Sequence, residues 1–238
     1  MTSQTLTDAL LAPRLSSDAA QPLITYYDDA TGERIELSGT TSANWAAKTA
    51  NLLRDECDLE PGGTVSVLLP AHWQTLAVLL GAWWCGGEVV TDPAGADVVL
   101  TDLAHLDEAT GAGAGVVVAL SLHALGAGLT DLPAGVVDYA TEVRLHGDTF
   151  VAEPEAGSGP VLDGRDAASV LEAARAAGAE LPAGARVMTS REWSTTDGLI
   201  EVPLAVLVTG GSLVQCRNLD EASVDRRAES ERVTYRLR

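Results

Sequence analysis

The sequence predicts an α/β fold in which layered sheets are flanked by helices. Apolar segments alternate between strand-like and helix-like periodicity along nearly all of the 238 residues. The clearest unit is "TVSVLLP", "AHWQTLAVLLGAWWCGG" and "EVVTD", which form a strand, a helix and a strand in succession. The first strand is a continuous apolar run, as expected where both faces of a sheet are covered by helices.

The elements before residue 150 follow from local patterns. A helix is predicted from about Thr5 to Leu11, a hairpin with its turn at Asp28–Gly32, and a helix from about Ser42 to Cys57. The strand, helix and strand unit comes next, and "ADVVLTD", "GVVVAL" and "GVVDYATEVRL" are predicted as further strands. The closely spaced glycines of "ATGAGAG" follow a short helix and precede a strand. They therefore predict a connector and not a dinucleotide loop.

A polar stretch after Gly147 is the best candidate for a boundary between subdomains. We predict an α/β subdomain over residues 1–150 and a second over 151–238, packed together as one globular unit. The second contains, in order, helix "DAASVLEAARAAG", strand "ARVMTS", helix "DGLIEVPLAVLVTGG", strand "SLVQC", helix "DEASVDRRAESE" and strand "RVTYRL".

The charge of the chain excludes two classes of partner. Acidic residues number 34 against 15 basic ones, which gives a net charge of −19. A field of this sign repels nucleic acid and anionic membrane surfaces. The most apolar run, "TLAVLLGAWWCGG", is also shorter than the roughly 20 residues that a membrane span needs. We expect neither nucleic acid nor membrane as a partner.

The residue types of common active sites are scattered. Three cysteines and four histidines share no spacing typical of a metal site, and no G-x-S-x-G motif marks a nucleophile. We therefore predict no catalytic residue, no metal and no cofactor. The cysteine number and the absence of a signal peptide pattern favour the cytoplasm. Lys48 is the only lysine in the sequence.

Two features are candidate sites. Gly157, Ser158 and Gly159 precede a predicted helix, and glycine loops at helix N-termini bind phosphate through backbone N–H groups. A loop that works on ATP adds a lysine and hydroxyl groups, whereas Arg165 is the only nearby positive charge. Trp83 and Trp84 point in directions about 100° apart on one helix, so core packing is the first interpretation and a pocket the second.

The order of segments resembles the N-terminal part of the AMP-forming acyl-CoA synthetase, luciferase and adenylation-domain superfamily. Members carry "gv.pGD.Vav.lpn", then a helix and "ga.kaGavvvp", and later "drvl…p…G.…l.pLl.GgtvV…VT". The first pattern is matched here by Gly62, Val65, Val67, Leu69 and Pro70, and the second by Gly81, Gly86 and Val90. The resemblance implies the fold of that region, with α/β subdomains whose sheets are flanked by helices.

The same resemblance implies ATP-dependent activation of a carboxylate, but the motifs for that step depart from the pattern. Members carry "TSGTTGxPKG", and this chain has "AGSGPVLDGRD", which retains the glycines and lacks the threonine pair and the lysine. The "YGxTE" and "TGD" motifs have no counterpart. Each lost electrostatic contact typically costs a factor of about 10²–10³ in rate.

Three hypotheses about function follow. The first is a degenerate, non-catalytic protein whose vestigial phosphate loop is Gly157, Ser158, Gly159 and Arg165, and which binds a small ligand or a partner. An acyl group or a nucleotide is the candidate ligand, and a second copy or another protein is the candidate partner. The second is an acyl- or nucleotide-binding component of an adenylate-forming ligase whose catalytic lysine and magnesium ligands come from another polypeptide. The third is an unrelated activity on the same fold.

Overall fold

The structure is a computed structural model that describes residues 4–124 and 126–238. It confirms the predicted α/β class, because helices flank two multi-stranded sheets. The strands are β1 (Pro22–Asp28), β2 (Glu33–Ser38), β3 (Thr64–Leu68), β4 (Glu88–Val90), β5 (Val98–Asp102), β6 (Val116–Leu120), β7 (Val136–Asp138), β8 (Pro160–Leu162), β9 (Arg165–Asp166), β10 (Arg186–Thr189), β11 (Ser212–Arg217) and β12 (Tyr235–Arg236). The α-helices are α1 (Leu6–Ser17), α2 (Gly39–Asp55), α3 (Trp73–Trp84), α4 (Leu106–Gly111), α5 (Tyr139–Glu142), α6 (Ala167–Ala177), α7 (Thr196–Leu199), α8 (Ala205–Val208) and α9 (Val224–Ser230).

The first sheet has the strand order β12-β10-β11-β1-β2. β1 pairs with β11 in parallel, and β2 runs antiparallel to β1 after the predicted turn at Asp28–Gly32. The sheet therefore joins strands from the two ends of the described chain. The predicted boundary near residue 150 stays a prediction. The strands of the first sheet come from residues 22–38 and 186–236, and those of the second sheet come from residues 64–166.

The second sheet has the order β7-β6-β5-β3-β4-β8-β9, and its strands are parallel apart from β9. The connection through α3 leads from β3 to β4 on one side, and the connection through α4 leads from β5 to β6 on the other. Strand order thus reverses between β3 and β5. Ligands of open α/β sheets bind outside the carboxyl ends of the strands at such a point.

Helix α3 forms the centre of the core between the two sheets. It is buried along almost its whole length and packs closely against α2. Its "TLAVLLGAWW" sequence is apolar on all sides, as expected of a helix enclosed by other elements. Gly81 permits the close approach, because a Cβ there would lie 2.6 Å from the Cβ of Thr49 on α2.

Some elements differ from the predictions. "GVVDYATEVRL" is a strand only through Asp138, whose side chain caps α5 by accepting from the Ala140 N–H at 3.3 Å. The predicted helix "DGLIEVPLAVLVTGG" forms, but Ile200–Leu204 is a π-helical turn that contains Pro203. Among the described residues, no helix has both the length and the apolar character needed to cross a bilayer.

Candidate functional site

The main candidate site is a cleft of about 610 Å³ where the carboxyl ends of both sheets meet. Its lining residues lie at or just after strand ends, at the point where strand order reverses. We call it the inter-sheet cleft and define it by Tyr26, Asp28, Thr31, Gly32, Glu33, His72, Asp102, Leu103, Ala104, Ser121, Leu122, His123, Ala124 and Arg217. Small-molecule sites typically occupy about 300–1,000 Å³.

His72 and Glu33 form the buried end of the cleft. The imidazole of His72 is 1% exposed, and its Nδ1 accepts a hydrogen bond from the Gln74 N–H at 3.2 Å, which caps α3. The neutral ring therefore carries its hydrogen on Nε2. That atom lies 3.9 Å from Oε1 of Glu33, too far for a hydrogen bond. Both atoms are buried and have no hydrogen-bond partner among the described residues.

Burial controls the ionisation of the groups at this end. It lowers the pKa of His72, and the Glu33 carboxylate opposes that change only in part. Burial and the charge of Asp28 raise the pKa of Tyr26 to about 12, with Arg217 opposing. The ring of Tyr26 meets the His72 ring edge-on, with 4.3 Å between centroids. At neutral pH both rings are therefore uncharged.

The two sheets supply opposite walls of the cleft. On the first sheet, Oδ1 of Asp28 accepts from the Ala30 N–H at 2.9 Å and from Nδ2 of Asn218 at 2.8 Å. On the second sheet, Oδ1 of Asp102 contacts Nδ1 of His105 at 2.7 Å. The carboxylates are thus fixed in orientation by the turns that follow their strands.

The glycine loop lies at the opposite edge of the second sheet. Gly157, Ser158 and Gly159 precede β8, as Gly62 precedes β3 and Gly86 precedes β4, so all of them lie at the amino ends of parallel strands. The loop packs tightly there: a Cβ on Gly86 would lie 2.6 Å from Cα of Ala156, and the ideal Cβ position of Gly159 lies 3.7 Å from Cα of Gly62. That this loop is the remnant of a phosphate loop stays a prediction.

A short hairpin of β8 and β9 separates the glycine loop from α6. The sequence analysis predicts the helix but not this hairpin. β8 and β9 pair so that Arg165 stands opposite Leu162, at the far end of β8 from the glycines. The backbone of Arg165 is therefore about 10 Å of strand away from the glycines, and its role in a phosphate loop stays a prediction. The N-terminus of α6 is capped by Asp166, whose carboxylate accepts from the Ser169 N–H at 2.8 Å.

The two tryptophans have separate structural contacts. Trp83 is 1% exposed, and its Nε1–H donates to the Val161 carbonyl on β8 at 2.8 Å. Trp84 is half-buried, donates from Nε1 to Oδ1 of Asp8 at 3.1 Å and packs on Phe150. Neither lines the inter-sheet cleft. A pocket role for the pair stays a prediction.

The only lysine of the sequence is held away from both the cleft and the glycine loop. Nζ of Lys48, on α2, donates to the His146 carbonyl at 2.5 Å and pairs with Asp148 at 2.8 Å. Its side chain lines a separate groove with Trp45 and Arg144. Within the part of the chain that the structure describes, no group of three His, Cys, Asp or Glu side chains is placed to hold a metal ion.

The sequence analysis missed the residues of the inter-sheet cleft. His72, Asp102 and Arg217 each end or closely follow a strand predicted from its apolar run. Polar side chains at the carboxyl ends of buried strands are the signal that could have found them. Spacing in the sequence from other ligand types does not measure the proximity of a histidine to them in a folded sheet.

Comparison with known proteins identifies a relative that matches nearly the whole chain. A protein of Mycobacterium tuberculosis named "TIGR03089 family protein" is 51% identical over 240 residues, which cover 98% of both chains. No protein-family model matches the sequence.

Solved structures of acyl-CoA synthetases and CoA ligases share the fold. Brucella canis acyl-CoA synthetase superposes with a TM-score of 0.79 at 17% identity and covers 98% of this chain and 46% of its own. An anthranilate CoA ligase in complex with anthranoyl-AMP superposes with a TM-score of 0.70 at 14% identity. The match covers 97% of this chain and 48% of the ligase. A mutant coronafacic acid ligase from Pectobacterium brasiliense superposes with a TM-score of 0.75 at 8% identity. The match covers 98% of this chain and 49% of the ligase. The chain thus spans about half of each structure, and the predicted fold of that region is confirmed.

Proposed function

The chain belongs to the TIGR03089 family, and from that premise we propose that it is a small-ligand-binding protein without adenylating activity of its own. The observation that carries the proposal is the inter-sheet cleft, where two buried polar atoms of His72 and Glu33 lack partners. An unpaired buried polar atom costs about 1–3 kcal/mol, and this cleft holds two of the ten such side-chain atoms among the described residues.

The position of Lys48 supports the absence of adenylation. Phosphate loops that act on ATP use a lysine to neutralise developing charge, and the only ε-ammonium group of this sequence is bound to His146 and Asp148. The carboxylate of Asp166 also takes the N-terminus of α6, where a phosphate would otherwise be favoured.

Pyrophosphate exchange tests the catalytic part of the proposal. The purified chain, given ATP, Mg²⁺ and a panel of aliphatic and aromatic carboxylates, is expected to show no carboxylate-dependent exchange of labelled pyrophosphate into ATP. Exchange above the level of a heat-denatured sample would overturn this part.

Blocking the cleft tests the binding part. A library of small polar fragments is screened by ligand-observed NMR against the wild type and against Ala104→Trp, which places an indole in the cleft from an exposed position. Fragments that bind are expected to lose binding in this variant and to keep it in Ala94→Trp, an exposed position outside the cleft. Fragments that bind the wild type and Ala104→Trp equally well would contradict the proposal.

A further inference from the structure

The walls of the inter-sheet cleft carry an excess of negative charge. Among the described residues that line it are the carboxylates of Asp28, Glu33 and Asp102 and a single guanidinium, that of Arg217. His72 is neutral at neutral pH because burial lowers its pKa. At short range and moderate dielectric, two unit charges interact by about 4 kcal/mol, so this excess discriminates strongly between ligands of different sign.

The two unpartnered atoms define the kind of group that fits between them. Nε2–H of His72 needs an acceptor and Oε1 of Glu33 needs a donor, and the two atoms are 3.9 Å apart. Both atoms are enclosed here, so a ligand hydroxyl reaches them only if the partly exposed Glu33 side chain moves aside; it can then accept from the first atom and donate to the second. A carboxylate has no hydrogen for Glu33, and an ammonium group has no lone pair for His72.

We propose that the inter-sheet cleft binds a small organic cation that also carries hydroxyl groups, such as an amino alcohol or an amino sugar. The hydroxyl pairs with His72 and Glu33, and the ammonium group faces Asp28 and Asp102. This inference rests on the proposed function only in that the chain binds a small ligand there. Anions are repelled both by these walls and by the net charge of −19.

Three probes that share one ring test the proposal. Glucosamine, glucose and glucuronate carry the same type of hydroxyl-bearing ring and differ in charge. Near neutral pH, titrations of the full chain followed by NMR of the indole N–H signals are expected to give affinities in the order glucosamine, glucose, glucuronate. Glucosamine should bind at least about tenfold more tightly than glucose, which corresponds to about 1.4 kcal/mol.

Charge-removing variants locate the effect. Glu33→Gln keeps an acceptor next to His72, so it should reduce the preference for glucosamine over glucose by about tenfold and leave glucose binding within about twofold. Asp102→Asn should also reduce the preference, and it supplies the same test if Glu33→Gln does not fold. Glu172→Gln removes one charge from an exposed site on α6, outside the cleft, and should leave the preference unchanged.

The outcomes separate this inference from the proposed function. Tighter binding of glucuronate, binding of none of the three probes, or equal effects of Glu33→Gln and Glu172→Gln would overturn the inference. None of these results changes the expectation for pyrophosphate exchange, so each leaves the non-catalytic part of the proposed function standing. Carboxylate-dependent exchange would overturn the non-catalytic function and leave the ligand preference of the cleft standing.

Discussion

The two edges of the second sheet differ in how completely their groups are satisfied. At the amino edge, the glycine loop packs on Gly62 and Gly86, and the Trp83 indole bonds the Val161 carbonyl. At the carboxyl edge, the inter-sheet cleft is open and leaves polar atoms of His72 and Glu33 unpaired. A motif of glycines thus marks tight packing here, whereas unpaired polar groups mark the better candidate for binding.

Substitution of Gly86 should break the packed edge with the largest effect. Its φ is +86°, and a Cβ would lie 2.6 Å from Cα of Ala156, so Gly86→Ala combines backbone strain with overpacking. We expect a loss of about 2–4 kcal/mol in the free energy of unfolding, measured by urea denaturation. Gly95→Ala is the matched control: its φ is +70° and no atom lies within 4 Å of the added Cβ. A loss of about 1–2 kcal/mol is expected there, and equal losses would contradict the packing argument.

Trp83→Phe should have the next largest effect. It leaves the buried Val161 carbonyl without the indole donor, which costs about 1–3 kcal/mol in the free energy of unfolding. Trp84→Phe removes a bond from a half-buried ring to Asp8, where water can replace the donor, and should cost less. Thermal denaturation of both variants ranks them. A larger loss for Trp84→Phe would show that the second indole has the more important structural role.

The pH dependence of stability should sharpen the description of the cleft. Burial lowers the pKa of His72, so the unfolded chain takes up the proton at a higher pH than the folded chain does. The free energy of unfolding therefore decreases as the pH falls below about 6.5. His72→Asn removes this contribution and should flatten the decrease between about pH 7.5 and 5 in urea titrations. An unchanged slope would show that the buried imidazole takes up its proton as easily as in the unfolded chain.

Glu33→Gln should have the smallest effect on stability, because its Oε1 has no hydrogen bond to lose and Asp28 and Asp102 line the same cleft. We expect a change within about 0.5 kcal/mol in urea denaturation. The same substitution is expected to alter ligand preference. A large loss of stability would instead identify Glu33 as a structural residue.

The sequence was sufficient to predict the fold class and most of the elements. The β3, α3 and β4 unit and the hairpin at Asp28–Gly32 followed from apolar periodicity and turn residues, which are local properties. α1 continues beyond the predicted Leu11 to Ser17 and contains Pro13. The β8 and β9 hairpin was missed because its strands are three and two residues long and its pairing supplies no periodic pattern.

The candidate site could not be predicted in the same way. Glu33, His72 and Arg217 are far apart in the sequence, and they line one cleft only because β1 pairs with β11 and the two sheets meet at their carboxyl ends. Glycine spacing is visible in a sequence, but the edge of the sheet on which a loop lies is not. Glycine spacing therefore predicts a site at the loop, whereas the geometry favours the cleft.

The interleaving of the two sheets determines when the protein can fold during synthesis. β1 and β2 leave the ribosome early, but the parallel partner of β1 is β11, and Ile24 pairs with Leu213. The whole second sheet is synthesised in between. Such a long separation slows formation of the pair, since the intervening loop must first be closed. Until β11 is synthesised, β1 has one edge without a partner strand. An unpaired strand edge can bind a chaperone or pair with another chain and aggregate.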